Sequence, residues 1–256
     1  MVRRPLGNHH HGPDTLLVTS DTTQPGMRAL RELVSRTQVV LWDFDGPICR
    51  LFAGHSAERV AHGLLDWLGQ QGLHGLLSDD EREPLDPHAL LRAVDRRRPR
   101  SDLVTELEER LTQEELKAAV TAMPTPYADP LIRTWTAVGA RPAVTSNNSP
   151  AVVRAYLQGR GLLPCFQPHL YGRTGELRHL KPDPHCLHRA LSAMGAAPST
   201  ALMIGDTPTD LEAARRAGVH FLGYARNEHK AHLLEEAGAR TVLRSLGDLL
   251  AALRPA

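Results

Sequence analysis

Residues 38–47 read Gln38-Val39-Val40-Leu41-Trp42-Asp43-Phe44-Asp45-Gly46-Pro47. The run up to Trp42 is apolar and β-branched without alternation, the pattern of a strand buried on both faces of a parallel sheet. It ends on Asp43, and Gly46 allows the chain to turn at once, so Asp43 and Asp45 can project into one pocket instead of opposite faces of a sheet. Two later runs end the same way. Pro142 to Val144 leads into Thr145-Ser146-Asn147-Asn148, and Ala201 to Ile204 leads into Gly205-Asp206-Thr207-Pro208-Thr209-Asp210. In open parallel sheets ligands bind beyond the carboxyl ends of the strands. Three carboxylates and a hydroxyl gathered there repel one another unless a cation lies among them, and hard oxygen donors suit Mg²⁺. One carboxylate of the Asp43/Asp45 pair can attack while the other handles protons. With a phosphoryl donor, attack gives an acyl phosphate; the neighbouring acid then protonates the leaving oxygen and later acts as base on water.

Outward from these runs, strands alternate with helices. A helix is expected over Met27 to Val34, and further helices over Leu131 to Val138, Ala151 to Leu157, Asp210 to Ala217 and Leu246 to Leu253. Asp183-Pro184 reads as an N-cap followed by proline in the first turn of a helix reaching Met194. Cys165 to Tyr171 reads as extended and His220 to Tyr224 as a strand. From Phe52 to Met123 the period is helical throughout: Val60, Leu64, Trp67 and Leu68 share a face, as do Leu103, Leu107 and Leu111, and Thr112 to Glu115 has capping-box spacing. The expectation is an α/β fold, a three-layer Rossmann-like parallel sheet core interrupted once by an all-helical insert. Its divisions are a flexible N-terminal arm over 1–25, the core over 26–51 and 124–256, and the insert over 52–123.

The bulk properties exclude several classes. A chain of 256 residues, 41% hydrophobic and 23% charged, can bury a sizeable core. Thirty basic residues against 29 acidic ones give a net charge of +1, so nothing global draws it to nucleic acid or an anionic membrane. No apolar run approaches the ~18 residues of a membrane span, and no apolar segment follows Arg3 and Arg4 before Pro13. Cys49, Cys165 and Cys186 fit neither a disulfide framework nor a zinc ribbon and point to a reducing compartment, the cytoplasm. Lys117, Lys181 and Lys230 are the only lysines, which makes the position of each worth following.

Asp43-Phe44-Asp45-Gly46, Ser146-Asn147, Lys181-Pro182-Asp183-Pro184 and Gly205-Asp206-Thr207-Pro208-Thr209-Asp210, in that order, resemble the four motifs of the haloacid dehalogenase superfamily. The insert between the first and second motifs is similar to the C1 cap of its subfamily I. The resemblance, from about Val39 to Leu253, implies a role for each position. Asp43 would be the nucleophile and Asp45 the general acid and base. The Asp43 carboxylate, the Asp45 main-chain carbonyl and Asp206 would hold Mg²⁺. Ser146, the Asn147 backbone and Lys181 would hold the transferring phosphoryl group, and Asp210 would orient Lys181 or a metal-bound water. At the second motif either Thr145 or Ser146 can supply the hydroxyl; Ser146 is preferred because Asn147 follows it. Pro47 stands where the family has Thr or Val, which stiffens that loop.

The function so implied is a Mg²⁺-dependent phosphatase acting on a small phosphorylated metabolite, as a monomer or homodimer. The alternatives are a phosphomutase of the same family and a non-catalytic phosphate-binding relative. A dehalogenase is disfavoured because expelling a halide needs no proton donor at Asp45, and a receiver module because such domains are about half this length and lack a helical insert. Asp95 to Arg100 reads as a solvated face near the acidic stretch Asp79 to Glu83, and His185, Cys186 and His188 as incidental to metal binding. His55 is a weaker candidate for substrate contact, and Cys49 a packing residue.

Overall fold

The computed structural model describes residues 24–83 and 85–254. The arm expected over 1–25, with His9 to His11, lies outside these except for Gln24 and Pro25, which open the first helix. In chain order the elements are α1 (Gln24–Arg36), β1 (Val39–Trp42), β2 (Cys49–Arg50), α2 (Ala57–Gln70), α3 (Asp79–Arg82), α4 (Pro87–Arg97), α5 (Asp102–Thr121) and β3 (Met123–Pro124). Then follow α6 (Ala128–Ala137), β4 (Arg141–Thr145), α7 (Pro150–Gly159), α8 (Leu163–Phe166), β5 (Leu170–Tyr171), α9 (His185–Met194) and β6 (Ala201–Gly205). The chain closes with α10 (Pro208–Ala217), β7 (His220–Tyr224), α11 (Glu228–Glu236), β8 (Val242–Leu243) and α12 (Leu246–Ala252).

Six strands form one parallel sheet in the order β5-β4-β1-β6-β7-β8. All four residues of β1 are buried, and their period of two divides them between the faces. Val40 and Trp42 pack with Leu131 and Trp135 of α6, Val153 and Leu157 of α7, and Leu246 of α12. Val39 and Leu41 pack with Leu187 and Leu191 of α9 and Ala213 of α10. A strand covered on both sides has no polar face, which is why its sequence is an unbroken apolar run.

The chain leaves β1 to build β4 and β5 on one side, then crosses back to build β6, β7 and β8 on the other. The strand order therefore reverses at β1, with β4 and β6 as its two neighbours. The crevice past the ends of these three strands is where such sheets bind ligands.

Helices alone stand between β2 and β3, which pair as a short antiparallel ladder, Cys49 against Pro124 and Arg50 against Met123. Helices α2, α4 and α5 share their own apolar cluster, including Leu64, Trp67, Leu91, Val94, Leu107 and Leu111. Leu177 and Leu180, from the loop after β5, complete that cluster. The helical segment is thereby packed onto the chain that leads into Lys181.

The structure corrects some local expectations. Helix α5 starts at its Ser101 cap and runs through Thr112 and Glu115, so these are mid-helix residues and no capping box. Glu115 has buried partners to reach, and those outweigh its cap-like spacing. Helix α9 begins after Pro184, and Asp183 accepts from the His185 amide from outside the helix. The stretch expected to be extended contains the helical turn α8 before β5. Helix α11 and strand β8 have no counterpart in the sequence reading; both are short and their apolar residues few. Among the described residues, no helix is long and apolar enough to cross a membrane.

Leu41 is completely buried between the sheet and α9. Leu41→Ala is expected to lower the unfolding free energy by about 2–5 kcal/mol in urea titration, since the surroundings of a buried residue close only partly over the cavity left behind.

Candidate active site

Each carboxyl end at the switch point supplies polar groups to one cavity of about 320 Å³. Asp43 and Asp45 come from the loop after β1, Ser146 and Asn147 from the loop after β4, and Asp206 from the end of β6. Asp210 lies in the first turn of α10, Lys181 precedes α9, and Lys230 reaches in from α11. The roof is helix α4 and its cap, which bring Asp86, His88 and Arg92.

Gly46 makes the close approach possible. Its φ is +120°, a region that side-chain-bearing residues avoid, and a Cβ there would lie 2.4 Å from Cγ of Asp206. The turn is tied down where the Gly46 amide donates to the Cys49 carbonyl and the Thr125 hydroxyl to the Gly46 carbonyl.

Lys181 is the centre of the site. Its buried ammonium donates to Oδ1 of Asp43 (2.8 Å), Oδ1 of Asp210 (2.5 Å) and the Thr145 carbonyl (3.1 Å), so each of its three N–H groups has an acceptor. Burial by itself disfavours the charge, but Asp210 and Asp43 outweigh it and keep Lys181 protonated well above the usual lysine range. The other oxygen of Asp210 accepts from the amides of Asp206 and Thr207 and from the Thr207 hydroxyl. Asp210 thus caps α10 and holds Lys181 at once.

Asp206 bonds Lys230 at 2.7 Å through Oδ2, while its Oδ1 is buried without a partner among the described residues. Asp45 turns its carboxylate to the Leu51 amide at 2.8 Å. Ser146 lines the cavity, its hydroxyl set between the Asn148 side chain and amide; the Thr145 hydroxyl instead faces the Met203 sulfur and lines no part of the cavity. The Asn147 amide is fastened to the main chain of Lys181, accepting from its N–H at 2.8 Å and donating to its carbonyl at 3.3 Å.

The charges do not balance. Asp43, Asp45, Asp206 and Asp210 face the ammonium groups of Lys181 and Lys230 within the core part of the cavity. Burial, followed by repulsion from Asp210, raises Asp43 to about 7 despite Lys181. Burial raises Asp45 to about 6, opposed by the Leu51 amide, and raises Asp206 to about 6, opposed by Lys230. Burial, together with repulsion among the carboxylates, moves all three upward, as expected where acidic groups outnumber the cations beside them. One oxygen each from Asp43, Asp206 and Asp210 lie within 4.8 Å of one another. With the orphaned Oδ1 of Asp206, this all-oxygen set fits a hard divalent cation.

All seven residues singled out in the sequence meet in this cavity: Asp43, Asp45, Ser146, Asn147, Lys181, Asp206 and Asp210. Sequence reasoning missed Lys230, Asp86, His88 and Arg92. The scarcity of lysine was the only signal for Lys230, and the cap residues carried none. His55 is elsewhere, bonded to Glu114 at 2.6 Å beside a separate pocket of the helical segment. Arg96 and Arg97 pair with Glu81, which accounts for that basic run as a solvated face. His185 stacks on His179 with ring centroids 3.9 Å apart, and Cys49 is buried in the sheet core.

Comparison with known proteins follows the same lines. A phosphoglycolate phosphatase from Rhodospirillum rubrum is 36% identical over 132 residues, covering 49% of this chain and 52% of that one. A second, from Aquifex aeolicus, is 28% identical and covers 71% of this chain and 81% of its own. The chain spans about half or less of the curated relatives that it matches above 30% identity, between 30% and 52% of their length. CbbY from Rhodobacter sphaeroides, solved in complex with phosphate, superposes with a TM-score of 0.62 at 20% identity, over 85% of this chain and 99% of that one, and so shares the fold. Residues 37–218 match the sequence model of the haloacid dehalogenase-like hydrolases, and with that match over more than half its length the chain belongs to this family.

Proposed function

We propose that the chain is a Mg²⁺-dependent phosphatase of the cytoplasm that releases phosphate from a small phosphorylated metabolite through an aspartyl-phosphate on Asp43. The observation that carries this reading is the Lys181 ammonium held between Asp43 and Asp210 beside an Asp206 oxygen with no partner among the described residues. An acidic cluster built around a fixed cation and one free ligand atom suits a phosphoryl group arriving with a metal ion.

In this mechanism the Asp43 carboxylate attacks phosphorus, and the bond to the leaving oxygen breaks. Asp45, raised to about 6 by burial, delivers its proton to that oxygen. The same carboxylate then accepts a proton from the water that opens the aspartyl-phosphate, which frees inorganic phosphate and restores Asp43. Ser146, the Asn147 main-chain N–H and Lys181 hold the equatorial oxygens, where positioning and charge neutralisation supply most of the rate. Asp43 and Asp206, with the Asp45 carbonyl, would hold Mg²⁺, which when bound offsets the carboxylate charge and polarises the phosphoryl group. The helical segment 52–123 acts as a cap that keeps bulk water out.

The cavity volume supports a small substrate, and Arg92 supports one with a second anionic group. Its NH1 donates to the Lys181 carbonyl at 2.8 Å, and its side chain lines the cavity beside Asp86. Relatives carry the names phosphoglycolate phosphatase and phosphoserine phosphatase, whose substrates are phosphomonoesters of small carboxylic acids. A phosphorylated hydroxy acid is accordingly the proposed substrate class.

Release of p-nitrophenol from its phosphate ester is expected to require Mg²⁺. Asp43→Asn should abolish it and Asp45→Asn should lower kcat by about 10²–10⁴-fold; activity in the absence of any divalent ion, or an active Asp43→Asn, would overturn the mechanism. Arg92→Ala should raise KM for a phosphorylated hydroxy acid by about 10-fold or more, the loss of one charge-assisted hydrogen bond, with far less effect on the aryl ester. The metal makes a pH prediction as well. Protons held by Asp43 at about 7 and Asp206 at about 6 must leave before the ion binds, so Mg²⁺ should raise Tm more at about pH 7.5 than at about pH 5.5. Calorimetric scans with and without Mg²⁺ at the two pH values measure it, and an equal or reversed difference would contradict the site.

A further inference from the structure

Helix α5 carries a carboxylate for which the mechanism has no use. Glu115 is fully buried, yet it belongs to the helical segment and faces the core. Its Oε1 accepts from NH1 of Arg173 (2.9 Å), Nδ2 of Asn148 (2.9 Å) and Nε2 of His88 (3.0 Å). Its Oε2 accepts from the Ser149 amide (3.1 Å) and NH2 of Arg173 (3.1 Å). Burial opposes its charge, but Arg173 and His88 bring the carboxyl down to about 2, so it is an obligate acceptor. Nε2 of His88 must then carry the hydrogen.

Two of the partners of Glu115, Asn148 and Ser149, belong to the loop that follows β4. Because Nδ2 of Asn148 is drawn to Glu115, Oδ1 of Asn148 must face the other way, and there it accepts from the Ser146 hydroxyl at 3.0 Å. Arg173 reaches the same loop, donating to the Asn147 carbonyl at 3.0 Å through NH1, while its main-chain amide donates to the Asn148 carbonyl at 2.9 Å. Its remaining side-chain donors are spent on Glu108 and Thr112, also on α5. Gly172 backs onto the loop so closely that a Cβ would lie 2.4 Å from the Asn148 oxygen. Residues 146–149 therefore take their conformation from a cap carboxylate and the arginine paired with it.

We infer that Glu115 is a positioning residue for phosphoryl binding: through Asn148, Ser149 and Arg173 it holds the 146–149 loop in the shape that receives the phosphoryl group, so that docking of α5 and affinity for phosphate are one event. This rests on the proposed reading of that loop as the phosphoryl-binding one. A role limited to joining the two parts of the chain would change stability and leave phosphate affinity untouched.

The test is calorimetric titration of inorganic phosphate into the full chain in saturating Mg²⁺, for the wild type, Glu115→Gln, Asn148→Ala and the double variant. Each single variant should weaken phosphate binding by about tenfold or more, and the double variant by little beyond the worse single one, because both cut the same line. The Mg²⁺ affinity measured without phosphate should stay within about twofold. Asn148→Ala leaves the Arg173–Glu115 pair in place and carries the test if Glu115→Gln does not fold. Folded variants that bind phosphate as the wild type does, or losses that multiply in the double variant, would overturn the inference, as would a wild type that binds no phosphate. A wild type that binds phosphate with the expected variant losses but hydrolyses no phosphomonoester would leave the inference standing and remove the proposed activity.

Discussion

One buried ammonium organises the site. Lys181 ties the loop after β1 to the end of β4 and to the first turn of α10 by spending its three hydrogens on Asp43, Thr145 and Asp210. A buried lysine without such acceptors would lose its proton, and carboxylates at this depth without the lysine would gain one. Each charge is tolerated because of the other. The pairing nevertheless leaves the carboxylates in excess, and it is this remainder on which the proposed binding of a divalent cation and a phosphoryl group rests.

The helical segment contributes in two ways that its own sequence conceals. Its apolar cluster closes over Leu177 and Leu180, just ahead of Lys181, so packing of the cap and placement of the ammonium are linked through a few residues of chain. Its Glu115 does the opposite of what surface charges usually do, pairing with Arg173 of the core. Glu115 and Arg173 are both buried, and each has enough hydrogen bonds to offset loss of water. Removing one partner of such a pair strands the other, which is more costly than removing both. That cost makes the α5-to-core junction a firm one, and the proposed loop-positioning role depends on this firmness.

Legibility in the sequence followed burial. The β1 run and its sharp end at Asp43 were readable because a strand covered on both faces cannot hide its period, and the polar residues beyond β4 and β6 were readable for the same reason. Lys181 stands at no strand end and was reached only through the resemblance of Lys181-Pro182-Asp183-Pro184 to a family motif. Thr112 and Glu115 were misread because a T-x-x-E spacing occurs wherever two residues share a helix face, and only the partner across the junction tells a capping box from a binding surface. Lys230 was out of reach for a different reason: α11 has few buried residues, so the helix that delivers the lysine left no periodic trace.

The sequence by itself determined the parallel α/β core, the helical interruption and the residues that crowd the switch point, because these are properties of local period and of where apolar runs stop. The tertiary structure alone decided which charges meet. It turned Asp45 toward the Leu51 amide, left one Asp206 oxygen without a partner among the described residues, set Arg92 and His88 over the cavity and buried Glu115 against Arg173. These pairings join residues far apart in the chain, and their strength depends on distance and on exclusion of water, neither of which exists until the sheet and the cap have packed.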